Sequence, residues 1–535
     1  MRGWVGLLFG ACLILSAGHA EGIWRITKDH WSEADEAGFS RFVQAIGESN
    51  CSSSQSCLRD PANPFRDSDK HFLDIDTDCA KWAYLLRGYY AWKNGLPFSF
   101  VDGVTGAGDE KHSSAGNRPT SRRAFVDHGE GIGGASAVRE LISSVFSANF
   151  RTDAARGDGV LADFYAPRIA PGVIRPGTVI YDTNAHVGIV YKVDPDGRIY
   201  YMDAHPDFTI TRSVYGAQFG QSPAKLGGGL KNWRPLKLVG AQDDGKGHLI
   251  GGRIVAAKNG EIADFSLEQY SGTEPHSKKP RFIWDGEEMG FYAYVRTAMS
   301  GGKTPFNPLH ELRVTLRGLC SDLKDRAATV DLAISQRVQE APHPARLPSN
   351  IFDSGDAAWE QYATPARDAR LRAGFADFYS QMAAMIDLWV KRDPRLIYDG
   401  LDLKTDMLAA YDREAKTCDL TYLNSAKQPV ALSLLDMPAR LYDISYDPYD
   451  CIELRWGARG EERKTCSNGE RKNRWYEAQA RLRHMKERAT NTAYSLDDLE
   501  SRPPRDSAPP PVDVRALITA MPARIPLAPM QPVGR

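Results

Sequence analysis

The chain has 535 residues, 42% of them hydrophobic and 25% charged, and a formal net charge of −1. That length allows about two to four globular domains. The near-neutral balance excludes a general electrostatic attraction to nucleic acid or anionic membrane, and the basic pairs Arg122-Arg123 and Lys278-Lys279 are too short to change that.

In chain order, Met1-Arg2 leads into an apolar run from Trp4 to Ser16, followed by Ala17-Gly18-His19-Ala20. A short positive start, an apolar stretch too short to cross a bilayer and a small-residue cleavage site form the pattern of a secretory signal peptide, 1–20, cut after Ala20. Lipoprotein processing before Cys12 is disfavoured, because Phe9-Gly10-Ala11 would place the cut inside the apolar run. The expectation is an exported protein, periplasmic or extracellular, with no stable membrane insertion after cleavage. Seven cysteines then remain, an odd number for an oxidising compartment. Proximity suggests Cys51–Cys57 and Cys451–Cys466, leaving Cys320–Cys418 and a free Cys79, one of several connectivities the count allows.

The fold class expected is α+β, a small antiparallel sheet with a packed helix over 21–300, then a mainly helical region over 301–500. A helix is predicted over 33–46 and another from Cys79 to Lys93, entered by the loop 74–78. Residues 102–127 are polar and Gly-rich and read as a surface loop, and 135–149 has helical spacing. Strands follow at 179–181, 187–193 and 198–202, the last two joined by Asp194-Pro195-Asp196-Gly197. Another hairpin is expected around Lys258-Asn259-Gly260. Helices are predicted over 310–339, 357–390 with a break at Pro365, 404–416 and 472–488, and a flexible Pro-rich tail over 501–535.

Chemistry concentrates in two places. Asp78 is a good N-cap, so Cys79 opens a helix whose Trp82, Leu85, Leu86 and Tyr89 form an apolar stripe. A helix N-terminus favours the thiolate. Asp74, Asp76 and Asp78 oppose it, so a base is required. His186 begins the strand His-Val-Gly-Ile-Val-Tyr-Lys-Val. If Pro195 and Asp196 form a two-residue loop, Val193 pairs with Arg198, His186 lies opposite His205, and Asp203 is its diagonal neighbour on the same face. A base and its orienting partner need that arrangement.

The Asp78-Cys79 pair opening an aromatic-rich helix, with Pro176-Gly177-Thr178-Val179-Ile180-Tyr181 and His186-Val187-Gly188-Ile189-Val190-Tyr191, resembles the motifs of NlpC-type cell-wall peptidases across residues 74–206. The resemblance implies a papain-like domain whose Cys79 and His186, with a polar third residue, cleave amide bonds of peptidoglycan peptides or of another envelope peptide. Thr178 replaces that family's acidic strand residue, and Ala80-Lys81 its Ser-Gly. The family often uses a histidine on the next strand, which points to His205. The His186-to-Asp203 spacing resembles instead a transglutaminase-like core with an aspartate. Asp203 is the expected third residue with His205 in reserve, and the Cys79 backbone N–H the default oxyanion donor. Two rivals stand beside hydrolysis: acyl transfer to an amine, and a binding module that keeps the fold without catalysis. No cofactor is predicted. Asp74-x-Asp76-x-Asp78 lacks the glycine and the glutamate of a calcium loop, and no zinc-ligand spacing occurs, so no metal is assigned.

Overall fold

A computed structural model describes residues 22–69, 73–274, 277, 279–302, 306–352, 357–485, 491–505 and 508–522. The expected signal peptide lies outside them.

Helix α1 (Glu33–Glu48) starts at a capping box between Ser32 and Asp35. Helix α2 (Cys79–Lys93) starts at Asp78, whose carboxylate accepts the Lys81 N–H. The segment expected to be a Gly-rich loop instead forms a long ribbon of β1 (Phe98–Thr105) and β2 (Arg118–Phe125). Phe98, Phe100 and Phe125 are buried together, and Ser99 and Val101 on the alternate face of β1 are buried as well, so burial at this end of the ribbon outweighs a polar composition. Helix α3 (Gly134–Ser144) ends earlier than its spacing suggests and gives way to a 3₁₀ turn at Ser147–Asn149.

The main sheet is antiparallel, with strands β3 (Phe164–Tyr165), β4 (Val179–Asp182), β5 (His186–Val193), β6 (Ile199–Ala204), β7 (Ile210–Val214) and β8 (Gly229–Trp233) in the order β3-β8-β4-β5-β6-β7. Side chains alternate across it. Val179, Tyr181, Val187, Ile189 and Met202 join the core beneath α1 and α2, whereas Ile180, Val190, Ile199 and Tyr201 belong to a second cluster on the opposite face with Phe219 and α4 (Phe291–Met299). The hairpin expected at 258–260 is absent; those residues lie in a 3₁₀ turn, and Arg253–Ala256 pairs with Leu236–Val239.

The C-terminal part is mainly helical and has its own cores. Helix α5 (Pro308–Ser335) covers the edge strand β7 and packs on α6 (Pro365–Lys391) and α7 (Leu403–Thr417). Covering that edge occupies a strand that would otherwise template aggregation. The predicted break at Pro365 separates α6 from the short helix Ala357–Tyr362. The helix predicted over 472–488 is shorter, Glu470–Ala478, followed by a 3₁₀ turn at Leu482–His484. The tail is not wholly open chain: α8 (Val514–Thr519) buries Val514 and Ile518 against α6 and α7. The disulfides are Cys51–Cys57, Cys320–Cys418 and Cys451–Cys466, and Cys79 is free.

Candidate active site

Cys79 is the first residue of α2, half-buried at the rim of the first core. Its thiol donates to the Ala185 carbonyl at 3.9 Å, and the Val187 and Ala80 N–H groups face the sulfur. Helix α2 therefore meets the sheet at the first residues of β5.

That meeting point is a tight turn. Asp182 pairs with His186 across β4 and β5, leaving Thr183, Asn184 and Ala185 to reverse the chain. The Asp182 carboxylate accepts the Asn184 N–H at 3.0 Å, and Arg151 Nη1 donates to the Thr183 carbonyl at 2.7 Å. Ala185 is held at φ 67°, a left-handed conformation that costs a residue with a Cβ about 1–2 kcal/mol. The strain sits on the residue whose carbonyl receives the thiol and whose neighbour is His186, and such strain persists only where the surroundings impose it.

His186 Nε2 lies 2.6 Å from Asp203 Oδ2. Thr211, paired with Asp203 across β6 and β7, donates its hydroxyl to Oδ1 at 2.5 Å and lies 2.9 Å from His205 Nε2. The chain His205–Thr211–Asp203–His186 fixes the tautomers: each Nε2 is a donor, and His186 Nδ1 is left as the basic nitrogen.

Electrostatics favour a neutral resting pair. Burial, then the charge of Asp78, pushes the Cys79 thiol up to about 12. Burial and Arg370 hold the His186 imidazole below its ordinary value despite Asp203. Burial opposes charge on Asp203, but His205, the His186 hydrogen bond and Arg370 outweigh it and keep this carboxyl well below the usual range. Burial lowers His205 to about 4. Burial thus keeps the thiol and the imidazole neutral at rest, with no standing thiolate–imidazolium pair.

The structure brings His186, Asp203 and His205 together, with Asp203 in direct contact and His205 one step behind through Thr211. It does not join Cys79 to His186 by a hydrogen bond. The thiol reaches β5 from the α2 side, while the imidazole lies toward the other face, its ring 6.5 Å from that of Phe219. The Cys79 N–H has no hydrogen-bond partner among the described residues and is available to an oxyanion.

The register at the site arises by compensation. At the turn Val193 pairs with Ile199, one residue away from the two-residue-loop pairing. A bulge at Tyr191 then restores the alignment, so Ile189 faces Met202 as the simpler hairpin would have it. Sequence reasoning missed Thr211 and the whole contribution of α5 and α6. Asp325 lies 3.4 Å from His205 Nε2, Arg370 Nη2 donates to His205 Nδ1 at 3.5 Å, and Arg367 bridges Asp325 and Asp207 at 2.9 Å each. Only the β6–β7 turn, 205–209, carries a local signal for this contact, an acidic residue at a position that a later arginine can meet.

Among the described residues, the group with metal-ligand proximity is Cys451, Glu453 and Cys466, and its two sulfurs are spent in a disulfide. No described helix is long and apolar enough to cross a membrane. No family model, curated protein or solved structure matches this chain.

Proposed function

We propose that this protein is an exported cysteine hydrolase of papain-like architecture that cleaves amide bonds, with peptidoglycan peptides as the substrate class implied by the NlpC-type resemblance. One observation carries the reading: the one unpaired cysteine among the described residues opens a helix against the strained turn that leads into His186, whose imidazole is oriented by a buried aspartate. The three disulfides support an oxidising compartment.

In the reaction, the thiol turns from the Ala185 carbonyl toward His186 Nδ1, which takes its proton as sulfur attacks the amide carbon. The Cys79 N–H donates to the developing oxyanion. Imidazolium, stabilised by Asp203, passes its proton to the leaving amine and the C–N bond breaks. Water, deprotonated by His186, then cleaves the thioester and restores the thiol.

Engagement of His186 by Asp203 and not His205 favours one second reading, the transglutaminase-like one, in which an amine resolves the thioester in place of water. Muropeptides incubated with the full chain, with and without an added primary amine, and analysed by mass spectrometry separate the two. A mass gain of one water supports hydrolysis, and an amine adduct supports transfer. Absence of both products, with Cys79→Ala retaining the biological role, refutes catalysis and supports a binding module.

A further inference from the structure

Away from the thiol, a cavity of about 420 Å³ lies between the end of β7 and helices α4, α5 and α6. Its size is that of a small-molecule site. Gly318 on α5 and Gly374 on α6 line it and keep the two long helices from filling it with side chains. Tyr215, Tyr292, Phe306 and Leu319 give it apolar walls, and the Tyr215 and Tyr292 rings are 5.7 Å apart. The Tyr292 hydroxyl donates to the Phe219 carbonyl, whereas the buried Tyr215 hydroxyl has no partner among the described residues.

The charges in this cavity are unbalanced. At one end Arg198 and Arg296 are consumed by Glu311, at 2.7 and 2.5 Å, and Arg296 also by Asp196 at 2.8 Å. Asp322 and Asp377 have no ion-pair partner among the described residues. Asp377 accepts from Gln381 at 2.7 Å, and Asp322 has the Ser213 hydroxyl beside it. The Ala217 N–H also serves Asp377, and Arg370 is the one cation that acts on Asp322, without an ion pair to it.

We propose that this cavity binds an organic cation, a primary amine on an apolar stem, with the ammonium taken by Asp322 or Asp377 and the stem by the tyrosine rings. An ammonium supplies the missing charge, can donate to the orphan Tyr215 oxygen, and gains from the faces of the aromatic rings. A neutral apolar ligand of the same shape would leave the carboxyls uncompensated. Burial raises both carboxyls, Asp322 to about 7, against the pull of Arg370 and with the push of Asp203 and Asp325. Amine binding at neutral pH therefore releases a proton wherever Asp322 is the acceptor. Neither Cys79 nor His186 lines the cavity, so Cys79→Ala leaves its walls intact.

The test is calorimetric titration of the disulfide-intact full chain with tyramine and with 4-ethylphenol, which lacks the amine. The expected result is tyramine binding at least about tenfold tighter, about 1.4 kcal/mol, with at least about a tenfold loss in the Asp322→Asn, Asp377→Asn double variant and no change for 4-ethylphenol. Equal binding of the two probes in the wild type, which needs no variant, overturns the proposal. So does unchanged tyramine affinity in the folded double variant, or no tyramine binding at millimolar concentration.

Discussion

Among the described residues, two buried histidines lie within 3 Å of an aspartate through Nε2, His186 and His343, and their difference separates a structural pair from a chemically available one. His343 in the helical region lies 2.8 Å from Asp447 through Nε2, and its Nδ1 lies 2.7 Å from the Pro344 carbonyl. Trp475 stacks on the ring at 4.1 Å, and Gln479 also donates to Asp447. Every polar position of that imidazole is used, and the attraction of Asp447 outweighs burial to raise its pKa, so it is a charged strut. His186 has the same partner type at a similar distance, but its Nδ1 has no partner among the described residues, its pKa is lowered, and a free thiol lies at the carbonyl of the preceding Ala185. Proximity to an aspartate is common to both; the unengaged nitrogen is what permits chemistry.

The largest expected effect comes from breaking the structural pair. His343→Ala leaves Asp447 buried without its cation and should cost about 3 kcal/mol in chemical denaturation, with Cys79 reactivity unchanged. Asp203→Asn, in contrast, should lower His186-assisted alkylation of Cys79 by about 100-fold beside the loss of stability that removing a buried, paired carboxylate brings. If both substitutions act mainly on stability, the two pairs are of one kind.

The pH dependence of stability sharpens the contrast. For His343 the folded state holds its proton more tightly than the unfolded chain. Its contribution is therefore complete below the unfolded pKa of about 6.5 and is lost as pH rises through the folded value. For His186 the folded state holds its proton less tightly, so stability falls as pH drops below about 6.5. Denaturation midpoints between pH 5 and 8 should accordingly show a smaller alkaline decline in His343→Gln and a smaller acid decline in His186→Gln, the remainders belonging to Asp322, raised to about 7, and to His205, lowered to about 4. The smallest effect is at the turn: Ala185→Gly should raise stability by up to about 1 kcal/mol by removing the left-handed strain. A loss of stability there would show that the turn stores none.

Much of the β-side of the site was legible because its signals are local. A capping aspartate places Cys79, strand alternation places Asp203 beside His186, and the odd cysteine isolates the thiol. The hairpin alignment came out right at the site although its turn did not, because the Tyr191 bulge offsets the longer loop. The ribbon β1–β2 was hidden by its exposed polar residues. Asp325, Arg367 and Arg370 lie more than a hundred residues after His205, on helices whose faces periodicity predicts but whose docking against the sheet it does not.

The central claim is that Cys79 and His186 act as one unit, and the rate of iodoacetamide alkylation at Cys79 against pH, in wild type and His186→Ala, tests it most directly. The account predicts two limbs in the wild type. The first appears below pH 6.5 as His186 loses its proton and becomes a base, and the second climbs toward the thiol value of about 12. In His186→Ala only the second limb should remain. Superimposable profiles in the two proteins would contradict the account and leave Cys79 an ordinary buried thiol.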